Sequence, residues 1–266
     1  MAALRVAAIS FEVRAEGLSL YDKLDAVVAG AAGQGARLIV LPELVVLGAY
    51  SGSIEALANQ ADGFQHRLAE LSKRLDVMIV GGSCIDRYRT GMRNVCPVVH
   101  PDGSIERVEK HVLTQWERHE WGLEAGAVPT AVCDVGVLIC YDSEFPELAR
   151  PLARAGARIF CVPSYTETRH GFQRVRWSCL ARAVENQVFV IHASLTGNLG
   201  GEPVPSTYGS SAIIAPSVPP FPESAILAET ALNEPGIAIA DLDFEALDEA
   251  RNSGDVRNWN DYLEAF

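Results

Sequence analysis

Basic residues are scarce in this 266-residue chain: 22 lysines and arginines face 34 aspartates and glutamates, a formal net charge of −12. No basic run occurs anywhere, which argues against a phosphate-backbone binder, because such a surface needs dense Lys and Arg to displace counterions. Long apolar runs are also missing. No stretch approaches the roughly 20 residues that a bilayer-spanning helix requires, and the segment 37–46 is interrupted by Pro42 and Glu43. The N-terminal residues meet charge early and lack the apolar core of a secretion signal. Six scattered cysteines form no CxxC pair and are too sparse for a disulfide framework. Reduced thiols, a cytoplasmic location and no membrane or nucleic-acid partner are the resulting expectations.

A hydrophobic content of 48% excludes disorder. Short apolar runs of strand length alternate with segments of helical spacing. Strands are expected at 4–10, 37–41, 77–80, 135–140, 158–162, 188–193, 210–214, 225–229 and 236–241. Helices are expected at 18–34, 64–75, 145–155, 172–186 and 244–251. The turn Pro101-Asp-Gly103 between apolar runs at 94–100 and 104–110 signals a hairpin. No internal repeat or long linker divides the chain, so one α/β domain over 1–266 with a mixed sheet is expected. The acidic stretch 252–266 reads as a tail without an evident strand or helix. Its Trp259, Tyr262, Leu263 and Phe266 either contact a partner subunit or fold back.

Three ionisable residues fall where an apolar strand emerges into a loop: Glu43, Lys110 and Cys140. Singly, each has an ordinary structural explanation as a turn residue, a surface charge or core filler. Context favours chemistry. Cys140 precedes a polar turn with cap candidates Asp142 and Ser143, then a segment of helical spacing with proline near its start. Nearby helix N-terminal amides would stabilise a thiolate. A carboxylate to take the thiol proton and an ammonium to stabilise oxygen charge complete a set suited to acyl transfer through a thioester.

These segments resemble the nitrilase superfamily of carbon–nitrogen hydrolases, and its amidase-like branch in particular. The resemblance rests on Leu38-Ile-Val-Leu-Pro-Glu43, on Lys110-His111 with Trp116-Glu-Arg118, and on Leu138-Ile-Cys-Tyr-Asp-Ser-Glu-Phe-Pro-Glu147. Arg182-Ala-Val-Glu-Asn-Gln187 and Gly209-Ser-Ser-Ala-Ile-Ile-Ala-Pro216 extend it. It implies a four-layer α-β-β-α sandwich, with Cys140 as nucleophile, Glu43 as general base and acid, and Lys110 as oxyanion-stabilising cation. Lys110 would lie between Glu43 and Cys140 and tune both, Glu117 would position the substrate, and the Tyr141 N–H would complete the oxyanion hole. It also implies a cofactor-independent, metal-free hydrolase of small linear amides or carbamoyl compounds, and a homodimer or higher homo-oligomer formed through helices.

Tyr165, Arg169 and His170, in the loop expected after the 158–162 strand, are candidate pocket residues, and Trp116 and Trp121 candidate pocket walls. Glu144 stands where several amidase-like relatives carry arginine, which disfavours an acid-tailed substrate if the side chain faces the pocket. A nitrile substrate, an amine as acyl acceptor and a non-catalytic interaction protein of the same fold remain open alternatives. A papain-like Cys–His pair, a zinc site and a dinucleotide fingerprint lack the required context.

Overall fold

The first strand shows why the fold takes layers. In Leu4–Arg14, Val6 and Ala8 enter one apolar cluster while Ala7 and Ile9 enter another, so both faces of the strand are buried. A strand covered on both faces reads as a continuous apolar run rather than an alternating one. The structure, a computed structural model, describes residues 3–14, 17, 19–50 and 52–265.

The elements run β1 (Leu4–Arg14), α1 (Leu20–Gly33), β2 (Leu38–Val40), α2 (Ile54–Ala58), α3 (Ala61–Leu75), β3 (Met78–Val80), β4 (Cys84–Arg87), β5 (Met92–Val99), β6 (Ile105–Glu109) and α4 (Gln115–His119). They continue as β7 (Val135–Val137), α5 (Pro146–Arg154), β8 (Ile159–Ser164), α6 (Arg169–Asn186), β9 (Phe189–Asn198), β10 (Ala212–Ile214), β11 (Ile226–Glu229), β12 (Gly236–Leu242), α7 (Phe244–Ser253) and α8 (Asn258–Ala265). Single 3₁₀ turns occupy Val45–Ala49 and Cys140–Glu144.

One half-sheet places β12, β1, β2, β3 and β5 side by side, with β4 and β6 completing it around β5; the other orders β7, β8, β9, β10 and β11. They join where the second half of β1 leaves β2 and pairs in parallel with the end of β9, Phe11 opposite Leu195. Val6, Val40, Val80 and Val98 of the first half-sheet share a core with Val137, Cys161 and Ile191 of the second. Leu148 and Leu152 of α5 and Val175 and Cys179 of α6 extend that core outward. On the opposite face, Ile9, Ile39 and Ile79 pack against Leu24 and Val28 of α1 and Phe64 and Leu68 of α3. Each such side chain contributes about 1.5–3 kcal/mol by leaving water. The result is the expected four-layer α-β-β-α sandwich.

Strands β1, β2, β7, β8 and β9 run parallel, and β6 shares their direction because two antiparallel pairings separate it from β3. The carboxyl ends of β2, β6, β7 and β8 therefore open on one edge, the usual site for ligands in α/β sheets. The expected hairpin is present: Gly103, at φ 86°, donates its N–H to His100 O, joining β5 to β6.

Three expectations need correction. The strand before Cys140 stops at Val137, because Cys140 adopts φ 48° and begins a 3₁₀ turn. Asp142 and Ser143 do not cap α5, whose N-cap is Phe145 without a side-chain bond; the Ser143 hydroxyl bonds within the turn, and Asp142 reaches the chain after Lys110. The tail forms α8, and folds back on its own chain: the Trp259 N–H donates to Gln187 Oε1 at 3.0 Å, and the Arg150 guanidinium lies 4.1 Å from the Tyr262 ring centre. Leu263 is exposed, while Phe266 and the expected helix start at Leu18 lie outside the described residues. Among the described residues no helix is long and apolar enough to cross a membrane.

Gly82 secures the turn that carries Glu43. It sits at φ 71°, and a Cβ there would overlap the Pro42 carbonyl oxygen. Replacing Gly82 by alanine therefore lowers the unfolding free energy by about 2 kcal/mol or more. Gly33→Ala, in open space at the end of α1, is neutral or stabilising by up to about 1 kcal/mol. Denaturant midpoints of the two variants check the contrast; equal midpoints would remove the role assigned to Gly82.

Candidate active site

The edge where the strands end carries a cavity of about 290 Å³ lined by Glu43, Lys110, Glu117 and Cys140 among others. Each comes from a different connection. Glu43 follows β2, and Lys110 follows β6, where its N–H still bonds to Asn94 O of β5 at 2.8 Å. Glu117 lies in α4 as the third residue of a capping box: its Oε2 accepts the Thr114 N–H while Thr114 Oγ1 accepts the Glu117 N–H. Cys140 opens the turn after β7.

The Lys110 ammonium, 1% exposed, is clamped between two carboxylates. Its Nζ lies 2.6 Å from Glu43 Oε1 and 2.8 Å from Glu117. Asn94, absent from the expected site residues, is the fourth member. Its Nδ2 donates to Glu43 Oε1 at 3.1 Å and to Glu117 Oε1 at 2.9 Å, tying the two acids together. Its one signal in the sequence is a polar residue within an apolar strand, and once buried such an amide needs partners.

Burial acts to lower the Lys110 pKa, but Glu117 and Glu43 outweigh it and hold the ammonium well above its usual value. Burial pushes Glu43 up, Lys110 opposes this, and the net direction is upward. For Glu117 burial acts upward too, yet Lys110, Asn94 and the Thr114 N–H bring it below the usual range. Of the two carboxyl groups, Glu43 is therefore the one that accepts a proton more readily.

The Cys140 thiol is pushed well above its usual pKa, by burial first and by Glu43 second, with Lys110 opposing. This corrects one expectation: helix amides do not hold a thiolate at rest, because α5 begins six residues later and burial dominates. Lys110 does act on both Glu43 and Cys140, favouring the ionised form of each, while its hydrogen bonds go to Glu43 and Glu117. The thiol's contacts are Tyr165 O at 3.6 Å and Ser164 Oγ at 3.8 Å. The positive φ of Cys140 stores strain of about 1–3 kcal/mol, and the turn holds it: Ser143 Oγ donates to Cys140 O at 2.6 Å, and Arg182 Nε of α6 donates to Ser143 O at 2.9 Å. Asp142 accepts the Val112 N–H at 2.7 Å and the His111 N–H at 3.3 Å, fastening the chain after Lys110 to the turn after Cys140. Burial raises its pKa to about 6.

Tyr165 connects Glu43 and the Cys140 thiol through its backbone. Its N–H donates to Glu43 Oε2 at 3.0 Å, and its carbonyl faces the Cys140 sulfur. Tyr165, Tyr141, Glu144, Trp116 and Trp121 all line the cavity. Arg169 and His170 do not. They occupy the exposed first turn of α6, and the helix turns Gly171, Arg174 and Val175 toward the cavity instead. The miss was one of helix phase: with α6 starting at Arg169 rather than at 172, the inward face moves three to five residues on. Among the described residues, no three His, Cys, Asp or Glu side chains are arranged to hold a metal ion.

Residues 3–252 match the family model for carbon–nitrogen hydrolases. A probable hydrolase of Bacillus subtilis, YhcX, is 35% identical over 214 residues, covering 79% of this chain and 42% of that protein. The chloroplastic omega-amidase of Arabidopsis thaliana is 31% identical over 245 residues, covering 84% of this chain and 63% of that protein. The chain thus spans less than two thirds of both these relatives. Among solved structures, an amidase from Nesterenkonia sp. superimposes with a TM-score of 0.77 at 26% identity, covering 94% of each chain. With the family model matched from the third residue to the start of the tail, the chain belongs to the carbon–nitrogen hydrolase family.

Proposed function

We propose that this protein is a cysteine-dependent amidase that cleaves the C–N bond of a small linear amide through a thioester on Cys140. The observation that carries the reading is the buried Glu43–Lys110–Glu117 cluster lining the same cavity as the thiol. Such a cluster has no economical structural reason, since replacing buried ion pairs by apolar groups is often neutral or stabilising. The amidases among the relatives point the same way.

In this mechanism the resting thiol is neutral and Glu43 is ionised. Cys140 Sγ attacks the amide carbon as its proton passes to Glu43, so a neutral acid replaces a carboxylate while an oxyanion forms on the substrate. The net charge of the site is unchanged, so the step creates no new charge separation. Lys110 and the Tyr141 N–H supply the positive end of the oxyanion's field. Glu43 then delivers its proton to the departing nitrogen as the C–N bond breaks, leaving the thioester. A water molecule gives a proton to Glu43 and attacks the thioester carbon; the C–S bond breaks and the sulfur recovers the proton. Glu117 stays ionised throughout, holding Lys110 and presenting a carboxylate to the substrate. Asn94 is a positioning residue, keeping both acids on the ammonium.

Incubation with small primary amides yields ammonia and, on rapid quenching, an acyl mass increment on Cys140. Cys140→Ala abolishes the increment and lowers turnover by about 10³-fold or more. Ammonia release confined to nitriles in a parallel series would overturn the amide assignment.

The base must be ionised, and burial raises its pKa above the usual 4.5 for a glutamate. Hence kcat/KM falls as pH drops, with its midpoint above that value. A pH–rate profile flat down to pH ~4.5 contradicts Glu43 as base.

Asn94→Ala removes a donor from both charged carboxylates, an interaction worth about 1.5–3 kcal/mol each. The variant loses about tenfold or more in kcat. Because Asn94 favours the ionised form of Glu43, its acid limb also moves to higher pH. A loss of stability with an unshifted limb would mark Asn94 as merely structural.

A further inference from the structure

The cavity has a floor and a rim of different chemistry. Glu43, Lys110, Glu117 and Cys140 form the buried floor, whereas Trp116, Glu167 and Glu202 are exposed at the mouth. Beyond the floor, the charged groups lining the cavity are three carboxylates, Glu144, Glu167 and Glu202, and one guanidinium, Arg174. That guanidinium is engaged: Arg174 Nε lies 3.4 Å from Glu144 Oε1. The other cation, Lys110, is held by Glu43 and Glu117. Among the described lining residues Arg174 is thus the one cation at the rim, set against three carboxylates, with its Nε turned to Glu144. Glu167 Oε1 receives the Tyr165 hydroxyl at 2.8 Å, which keeps a carboxylate beside an aromatic ring. Trp116 and Trp121 stand on the cavity wall, and aromatic faces attract cations.

Resting on the amidase reading above, we propose that the substrate is an amide whose far end carries a protonated amine or guanidine, held at the rim by Glu144, Glu167 and Glu202 with the aromatic walls. The chain's overall −12 charge adds a field that draws such cations toward the mouth. An amide ending in a carboxylate meets the opposite field and competes with Glu144 for Arg174, whose side chain is 58% exposed.

The test uses three primary amides of equal chain length, ending in an ammonium, a methyl or a carboxylate. Affinity is measured on Cys140→Ala and kcat/KM on the unaltered protein. The ammonium compound binds most tightly and exceeds the methyl compound in kcat/KM by about tenfold or more, the scale of one partly desolvated cation–aromatic or ion-pair contact. The carboxylate compound is poorest. The ammonium-to-methyl ratio shrinks in Glu144→Gln and Glu202→Gln, and falls with added salt while the methyl compound's rate does not. Equal or better binding of the carboxylate compound overturns the proposal, as does a ratio indifferent to both substitutions and to salt, or no binding by any of the three. Ammonium-first binding with no ammonia released and no adduct on Cys140 defeats the amidase reading and leaves the charge preference standing.

Discussion

An ammonium buried between two carboxylates governs much of what surrounds it. Taking three charges from water costs several kcal/mol per ion, and only close pairing with full hydrogen bonding repays it. The neighbourhood is built to that demand. β6 delivers Lys110, the turn after β2 delivers Glu43, and the capping box of α4 holds the Glu117 carboxylate by its second oxygen. Asn94 spans the two acids from the neighbouring strand. Because the ammonium pairs with both acids and Asn94 bonds both, the electrostatics of the site are set before any substrate arrives.

The Cys140 thiol is placed by different means. It has no strong hydrogen bond of its own, so backbone shape does the work: a left-handed residue at the head of a 3₁₀ turn, braced by Ser143 beneath and Arg182 from α6. Asp142 joins this unit to the lysine loop. The two half-sheets are thus linked at the site as well as through β1 and β9. Neither the ammonium nor the sulfur can shift without disturbing the other's backbone.

Much of this was legible in the sequence. Apolar runs of strand length and helical spacing located most of the strands and longer helices, because burial on both faces imposes an unmistakable pattern. Glu43, Lys110, Glu117 and Cys140 stood out through ordered motifs. What escaped depended on three-dimensional detail. Asn94 carries no signal beyond being polar in an apolar strand. Arg174 could not be separated from Arg169 and His170 without knowing the helix phase. The short α2, β4 and α4, and the tail helix α8, owe their conformation to caps and to contacts made far along the chain, such as Gln187 with Trp259. The resting state of the thiol was misjudged because proximity to amides was visible in the motif, whereas the depth of burial was not.

One peptide of the cavity-lining Tyr165 aligns two groups. Both of its links, N–H to Glu43 and carbonyl to Cys140, belong to the main chain. Replacing the side chain leaves the alignment of carboxylate and sulfur to the peptide. Natural drift at this loop is therefore free to reshape what the protein recognises while inheriting its reactive geometry intact.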